Sequence, residues 1–422
     1  MSSATRARTP ERAVPRQPSR TTSLGAPRLR QLVLFEVAAA LVLVAWAISP
    51  SPLLVGPAAA VAVLLLVVAV LRRRQQPVPD WLATAVALRR RQKRAKEPVP
   101  AGTDPSLAPA VECDPALRSY AYTARDRREM GMVGDGTFLT AVLQVQGSDD
   151  PLRPGAAERP LPLGLLRDAL RVDDIRLESV QVVQHTQPAP APHLPEQSVA
   201  ARSYGPLQEQ SGAPAVRLTW VALKLHPELC SEAVAARGGG LEGAQRCLVR
   251  AVDQLASRLA GAGFTAKALE EGELASAVAT SACANPAATA QAARANTPNR
   301  RTVETSRAWR CDDRWHTTYW VGRWPQLGAG SVPLPQVVAQ LTSVPALAST
   351  FSLTLAHGSG RGWGGEPRVS GHVRITGRSD SELVDARKTL ERVARGVKVG
   401  LVRLDREQLP GMLATLPLGG TR

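Results

Sequence analysis

"AVRLTWVALKLHPELCSEAVAARGGGLEGAQRCLVRAV", residues 215–252, decides the fold of this chain. Its first eleven residues are dense in Val, Leu, Thr and Trp and read as a strand over 215–225. Residues 228–237 then take a helical pattern, and three glycines, Gly238 to Gly240, interrupt it. A longer helix is expected over 241–260. Leu241, Gln245, Leu248, Val252, Leu255 and Leu259 recur there at helical spacing and are expected to face a core. A strand followed by two helices sets a helical layer against a sheet.

The glycines pose a question of chemistry. Gly238-x-Gly240-x-x-Gly243 has the spacing of a dinucleotide fingerprint. That motif works only where the glycines follow directly from a strand, so that the helix N-terminus meets the pyrophosphate. Here "PELCSEAVAA" intervenes, and no Lys-Ser/Thr follows to make a phosphate loop. Glu270 stands where a ribose-binding acid would be wanted. The ordinary alternative is a tight helix–helix joint, in which glycine supplies positive φ and close backbone approach.

Outward from this stretch, strands and helices alternate. Strands are expected at 137–145, 175–185 and 264–269, with helices at 163–171 and 271–283. Beyond a loop at 284–300, strands 302–311 and 315–324 meet at an Asp312-Asp313 turn. A helix near 333–343, strands at 349–357 and 368–376, helix 380–395, a strand at 397–404 and a last helix from 406 complete the order. The expected class is α/β (α+β), built as two small packed sheets: a first subdomain over 114–283 and a second over 301–422. Residues 97–113 and 284–300 read as linkers, and 186–214 as a Pro/Gln-rich loop.

The chain has 422 residues and a net charge of +16, with 44% hydrophobic but only 4% aromatic residues. The charge is not spread as it would be over a nucleic-acid-binding domain. Most of it falls in residues 1–96, where only Glu11, Glu36 and Asp80 offset the arginines and lysines. It flanks two apolar runs, 31–49 and 53–71, each long enough at about 1.5 Å per residue to cross a bilayer. Pro50-Ser51-Pro52 joins them, and Arg72-Arg73-Arg74 follow the second. The expectation is an N-terminal two-helix transmembrane hairpin behind a basic tail (1–30), with both termini cytoplasmic. Ala45-Trp46-Ala47 imitates a signal-peptide cleavage site, but a second full-length apolar run lies directly behind it.

Glu36 sits near the cytoplasmic end of the first run, where it either reaches the headgroups or contacts another protein's membrane helix. Residues 72–96 form a basic juxtamembrane helix in which Trp81 suits the interface and Leu82, Val86 and Leu88 offer a short apolar face. Arg72, Arg73, Arg74, Arg89, Arg90 and Arg91 are candidate contacts to anionic lipid.

The catalytic inventory is sparse. Asp312-Asp313 resembles the paired aspartates that hold a divalent ion in sugar transferases, yet Arg310 and Arg314 flank it, and a solvated turn, where Asp is favoured for local hydrogen bonding, is the expected reading. "HGSGRGWGGEP", 357–367, reads as a hairpin connection with Trp363 exposed. His185, His193, His226, His316, His357 and His372 show no paired spacing for zinc, and the five cysteines show no CxxC. No catalytic residue, cofactor or metal site is expected.

Several blocks together resemble one family. "DGTFLTAVLQV" (135–145), "LPLGLL" (161–166), "SYGPL" (203–207), "RLTWVALKLHP" (217–227), "AVAARGGGLEGAQRCL" (233–248) and "WHTTYWVGRWP" (315–325) occur in order behind two apolar runs and an arginine collar. They are similar to EccE, a membrane component of the actinobacterial type VII (ESX) secretion system. The resemblance implies a non-enzymatic subunit of an inner-membrane complex, with EccB, EccC and EccD as partners and EccC as the ATPase. It brings no catalytic residues. A membrane-anchored, nucleotide-sugar-dependent glycosyltransferase-like enzyme is the alternative, and a lipid-responsive scaffold a third.

Overall fold

A computed structural model describes residues 26–48, 56–63, 66, 72–73, 76–100, 102–124, 127–147, 160–188, 199, 202–203, 216–294, 299–325, 332–357 and 367–421. The Pro50-Ser51-Pro52 joint, most of the second apolar run, Arg74 and Trp363 lie outside these, as do the side chains of Arg72, Arg73 and Trp81. Two compact units are present, one over residues 17–97 and one over 98–421.

In the first unit, helix α1 (Ala26–Ile48) covers the first apolar run. It begins at Ala26, has Arg28 and Arg30 near its start and carries Glu36 further along. Leu43, Val44, Trp46 and Ile48 are exposed on it. Among the described residues no helix is long and apolar enough to cross a membrane, so the two-span hairpin finds no support here. Helix α2 (Val78–Arg94) follows, with Arg91, Lys93 and Arg94 in its last turn. Leu82 and Val86 are exposed, whereas Thr84 and Leu88 are buried. Leu88 therefore does not share the outward apolar face expected of it. Helical spacing instead puts Leu82 and Val86 in line with Arg89, Arg90 and Lys93.

The second unit is built on one antiparallel sheet of twelve strands, not two small sheets. In chain order they are β1 (Arg118–Thr123), β2 (Glu129–Gly134), β3 (Leu139–Gly147), β4 (Ser179–Gln187), β5 (Val216–Leu225) and β6 (Phe264–Ala268). The second half adds β7 (Thr302–Glu304), β8 (Trp309–Cys311), β9 (Arg314–Arg323), β10 (Ala348–Ala356), β11 (Arg368–Gly377) and β12 (Gly400–Arg403). The spatial order is β7-β8-β9-β11-β10-β4-β5-β3-β2-β1, with β6 beside β3 and β12 beside β9. The halves fuse because β4 pairs with β10 along its length, from Ser179 opposite Ala356 to Thr186 opposite Ser349. Ser and Thr alternate with Phe and Leu on β10, so both strands present one apolar and one polar face to the same layers.

Helices cover both faces. On one face lie α5 (Ser231–Ala236), α6 (Gly240–Gly261), α9 (Leu334–Thr342) and α10 (Asp380–Gly396). Leu248, Val252, Leu255 and Leu259 of α6 pack there against Leu143, Val221 and Leu223. Ser379 caps α10 by accepting from the Glu382 N–H. On the other face lie α3 (Ala108–Cys113), α7 (Glu271–Ser281) and α11 (Gln408–Ala414). Short α4 (Leu163–Asp168) buries Leu166 in the α6 core, and α8 (Pro286–Arg294) buries nothing. The stretches expected as linkers thus contain helices, and α3 is almost wholly buried.

Candidate functional site

The glycine stretch forms the expected joint. A 3₁₀ turn (Pro227–Cys230) and α5 separate β5 from the glycines, and α6 starts at Gly240. Gly238, Gly239 and Gly240 have φ of 108°, 70° and 56°, a left-handed run that side chains resist. A Cβ on Gly243 would stand 2.4 Å from the Val234 carbonyl oxygen, so α5 and α6 touch backbone to backbone there. Arg246 donates to the Arg237 carbonyl at 2.7 Å and closes the joint. The geometry of a pyrophosphate cradle on a strand end is missing.

The joint has a second consequence. It leaves a cavity of about 620 Å³ between the α6 N-terminus and the turn joining β2 to β3. Tyr120, Phe138, Leu139, Val234, Leu241 and Ala244 form its apolar walls. Leu241, expected in the core, is instead 50% exposed at its mouth, because α5 packs on the Gly243 side of the first turn of α6 and leaves the Leu241 side open. Local periodicity gives no notice of Tyr120, which comes from the far end of the sheet.

Asp312 and Asp313 occupy the two-residue connection between β8 and β9, where Cys311 pairs with Arg314. Only Asp313 is solvated. Asp312 takes a positive φ of 54° and turns its carboxylate inward. The Arg301 Nε–H and Nη2–H donate to its two oxygens at 2.8 and 2.7 Å, and the Asn285 N–H donates at 2.8 Å. Burial pushes the Asp312 carboxyl up, but these donors outweigh it and leave it below its ordinary value. A carboxylate so engaged has few lone pairs left for a divalent ion.

Beside this pair, the buried Glu112 carboxylate of α3 accepts from the Thr302 N–H at 2.8 Å and the Thr302 hydroxyl at 2.7 Å. It also accepts from the Arg301 N–H. The edge of β7 is thereby closed.

The histidines fall inside the protein. His185, His316 and His372 line one face of the sheet with Arg374, all within 2% exposure. Each imidazole nitrogen Nδ1 of His185 and His316 meets a threonine hydroxyl at 3.0 Å, on Thr350 and Thr376 respectively. Burial brings the His185 ring down to about 3 and the His372 ring to about 4, and it holds His316 well below its ordinary value. Arg374 donates to Thr350 at 3.1 Å, to the Ser281 carbonyl and to Met412 sulfur, and burial brings it down to about 10. The four groups sit two or more strands apart in part, without ligand convergence. No group of three His, Cys, Asp or Glu side chains suited to a metal ion occurs among the described residues. Cys113 is partly exposed, Cys230, Cys247, Cys283 and Cys311 are buried, and all five are free thiols.

The C-terminal segment covers this polar seam. Gln181 Oε1 accepts from the Gly419 and Gly420 N–H groups at 2.8 and 3.0 Å, and its amide donates to the Ala414 carbonyl at 2.8 Å. Ser179 donates to the Gly419 carbonyl at 2.6 Å. Gly419 and Gly420 have φ of 84° and 78°, and a Cβ on either would strike Lys224 or Thr354.

Residues 213–321 match the family model described as "Putative type VII ESX secretion system translocon, EccE". The matched stretch holds the "RLTWVALKLHP" and "AVAARGGGLEGAQRCL" blocks and most of β9, and it bears out the family resemblance read from the sequence. No curated protein matches the chain. Among solved structures the chain is similar to an alkyldihydroxyacetonephosphate synthase at 7% identity, over 64% of this chain and 42% of that one, with a TM-score of 0.25. This chain thus spans under half the length of that protein, and the likeness bears on neither fold nor function.

Proposed function

With the EccE family as premise, we propose that this chain is a non-enzymatic structural subunit of the type VII secretion membrane complex. Residues 98–421 dock on neighbouring core components, with EccB, EccC and EccD as the partners the family implies. The observation that carries this reading is the family match over 213–321, which runs from β5 through the glycine joint to β9. No cofactor or catalytic residue is assigned.

The same proposal gives residues 17–97 the task of attachment. The apolar runs 31–49 and 53–71 enter the inner membrane as a hairpin, with both termini on the cytoplasmic side. Outward-facing Leu43, Val44, Trp46 and Ile48 on α1 favour an apolar environment. Arg72, Arg73, Arg74, Trp81, Arg89, Arg90 and Arg91 lie against anionic headgroups, each charge contributing about 1 kcal/mol. Glu36 contacts a neighbouring membrane helix.

Extraction of membranes with a mild detergent, followed by native electrophoresis, tests this. The chain is expected in a high-mass band with the other components. A chain that always migrates alone, in cells expressing those components, ends the proposal. The glycosyltransferase-like alternative is not favoured, since the Asp312 carboxylate is taken up by Arg301.

A further inference from the structure

The two ends of the sheet are finished differently. At one end β7 is three residues long, and Glu112 accepts its Thr302 N–H. At the other end β1, six residues long, pairs with β2 on one side and with no described strand on the other. An unpaired edge of that length presents a row of backbone donors and acceptors, and native sheets close such edges with charges, bulges or a covering partner. The strand at the β3 end, β6, follows that habit with outward Lys267. In β1 the middle positions are Tyr120, Ala121 and Tyr122, and the only charged residue is Arg118 at its start.

The 620 Å³ cavity opens beside this edge, since Tyr120 of β1 is one of its walls. Glu228 is the one charged side chain among the described residues that line it, and exposed Glu232 lies one turn further on, next to the lining Ser231. Among the described residues no lysine or arginine lines it. The Glu228 side chain is 89% exposed.

We infer that β1 and this cavity form one docking surface, which takes an extended segment of a partner protein as an added antiparallel or parallel strand. The segment places an apolar side chain in the cavity and basic side chains two residues to either side. Strand addition fixes the register by main-chain hydrogen bonds, and alternate side chains fall on the face that carries Leu241 and the carboxylates. Opposite charge at the rim then selects basic over acidic segments. This surface rests on the reading of the chain as a docking subunit and names where and on what chemistry it docks.

The test uses the full chain in nanodiscs of phosphatidylcholine and three labelled heptapeptides, read by fluorescence anisotropy. Thr-Lys-Thr-Leu-Thr-Lys-Thr is expected to bind at least ~10-fold more tightly than Thr-Glu-Thr-Leu-Thr-Glu-Thr. The lysine peptide with alternate amides N-methylated is expected to lose binding, which isolates strand addition without touching the protein. Leu241→Lys, at a half-exposed position, is expected to weaken binding ~5-fold or more, and Glu228→Lys with Glu232→Lys to reverse the charge preference. Equal binding of both charged peptides, or undiminished binding of the N-methylated one, overturns the inference. Self-association that Leu241→Lys abolishes would make the occupant a second copy, and also overturns it. If these variants still enter the secretion complex while the peptides fail, the docking surface falls and the subunit reading stands. If the peptides bind as expected but the chain never joins the complex, the subunit reading falls instead.

Discussion

Arg301 and Asp312 form a two-point ion pair in which each side chain is only 7% exposed. Arg301 reaches further, to the Pro105 carbonyl at 2.9 Å and the Thr289 hydroxyl at 2.8 Å. One guanidinium therefore ties the segment before α3, the start of α8 and the β8–β9 hairpin together. Replacing Asp312 by Ala leaves a buried cation without its partner, so a loss of about 3–5 kcal/mol is expected in urea unfolding. Asp313→Ala, at the solvated neighbour, should change stability by no more than about 0.5 kcal/mol. Equal effects at the two positions would refute the inward pairing.

The glycine joint makes a sharper contrast. Gly243→Ala drives a methyl into the Val234 carbonyl and is expected to cost about 1–3 kcal/mol as α5 and α6 are forced apart. Gly272→Ala, in the first turn of α7 with open space around it, should be neutral or stabilise by up to about 0.5–1 kcal/mol. Thermal melts of the two variants read the difference directly.

The C-terminal segment behaves as part of the core. A chain ending at Thr415 removes both glycine N–H donors from Gln181 and uncovers Ser179 and Thr140. Each buried group left unpaired costs about 1–3 kcal/mol, so strongly enhanced proteolysis of the chain is expected. A truncated chain as protease-resistant as the intact one would show that the segment contributes nothing.

Acid should unfold the domain through its buried histidines. The ordinary value for His185 and His372 is 6.5, and burial brings them to about 3 and about 4 in the folded chain. Between those values the unfolded chain binds protons that the folded chain refuses. Stability is thus present in full above about pH 6.5 and falls with the pH by about 1.4 kcal/mol per unit for each ring, down to about pH 4 for His372 and about pH 3 for His185. His185→Gln should flatten the slope between pH 6 and 4. A slope that the substitution leaves unchanged would assign the loss to other groups.

Much of this architecture is written locally. The strand expected at 215–225 is Val216–Leu225, and the helix expected at 241–260 is Gly240–Gly261, because apolar period and glycine punctuation are both strong there. The two-residue Asp turn is likewise legible. Three features are not. The fusion of the halves depends on β4 meeting β10 more than 160 positions along, as the Gln181–Ser352 hydrogen bond shows at a separation of 171 residues. The inward turn of Asp312 depends on Arg301, whose role no spacing announces. The cavity at the joint depends on Tyr120, brought to Leu241 by the sheet alone. Histidines scattered in sequence also become one seam only through strand register.

The proposal that this chain is a structural component of the secretion complex is tested most directly by its stoichiometry there. The complex should be purified through tagged EccC and the ratio of this chain to EccC measured by quantitative mass spectrometry. A fixed, near-integer ratio that persists through salt washing is the predicted result. A chain that is absent, or present only in trace and variable amounts, would contradict it.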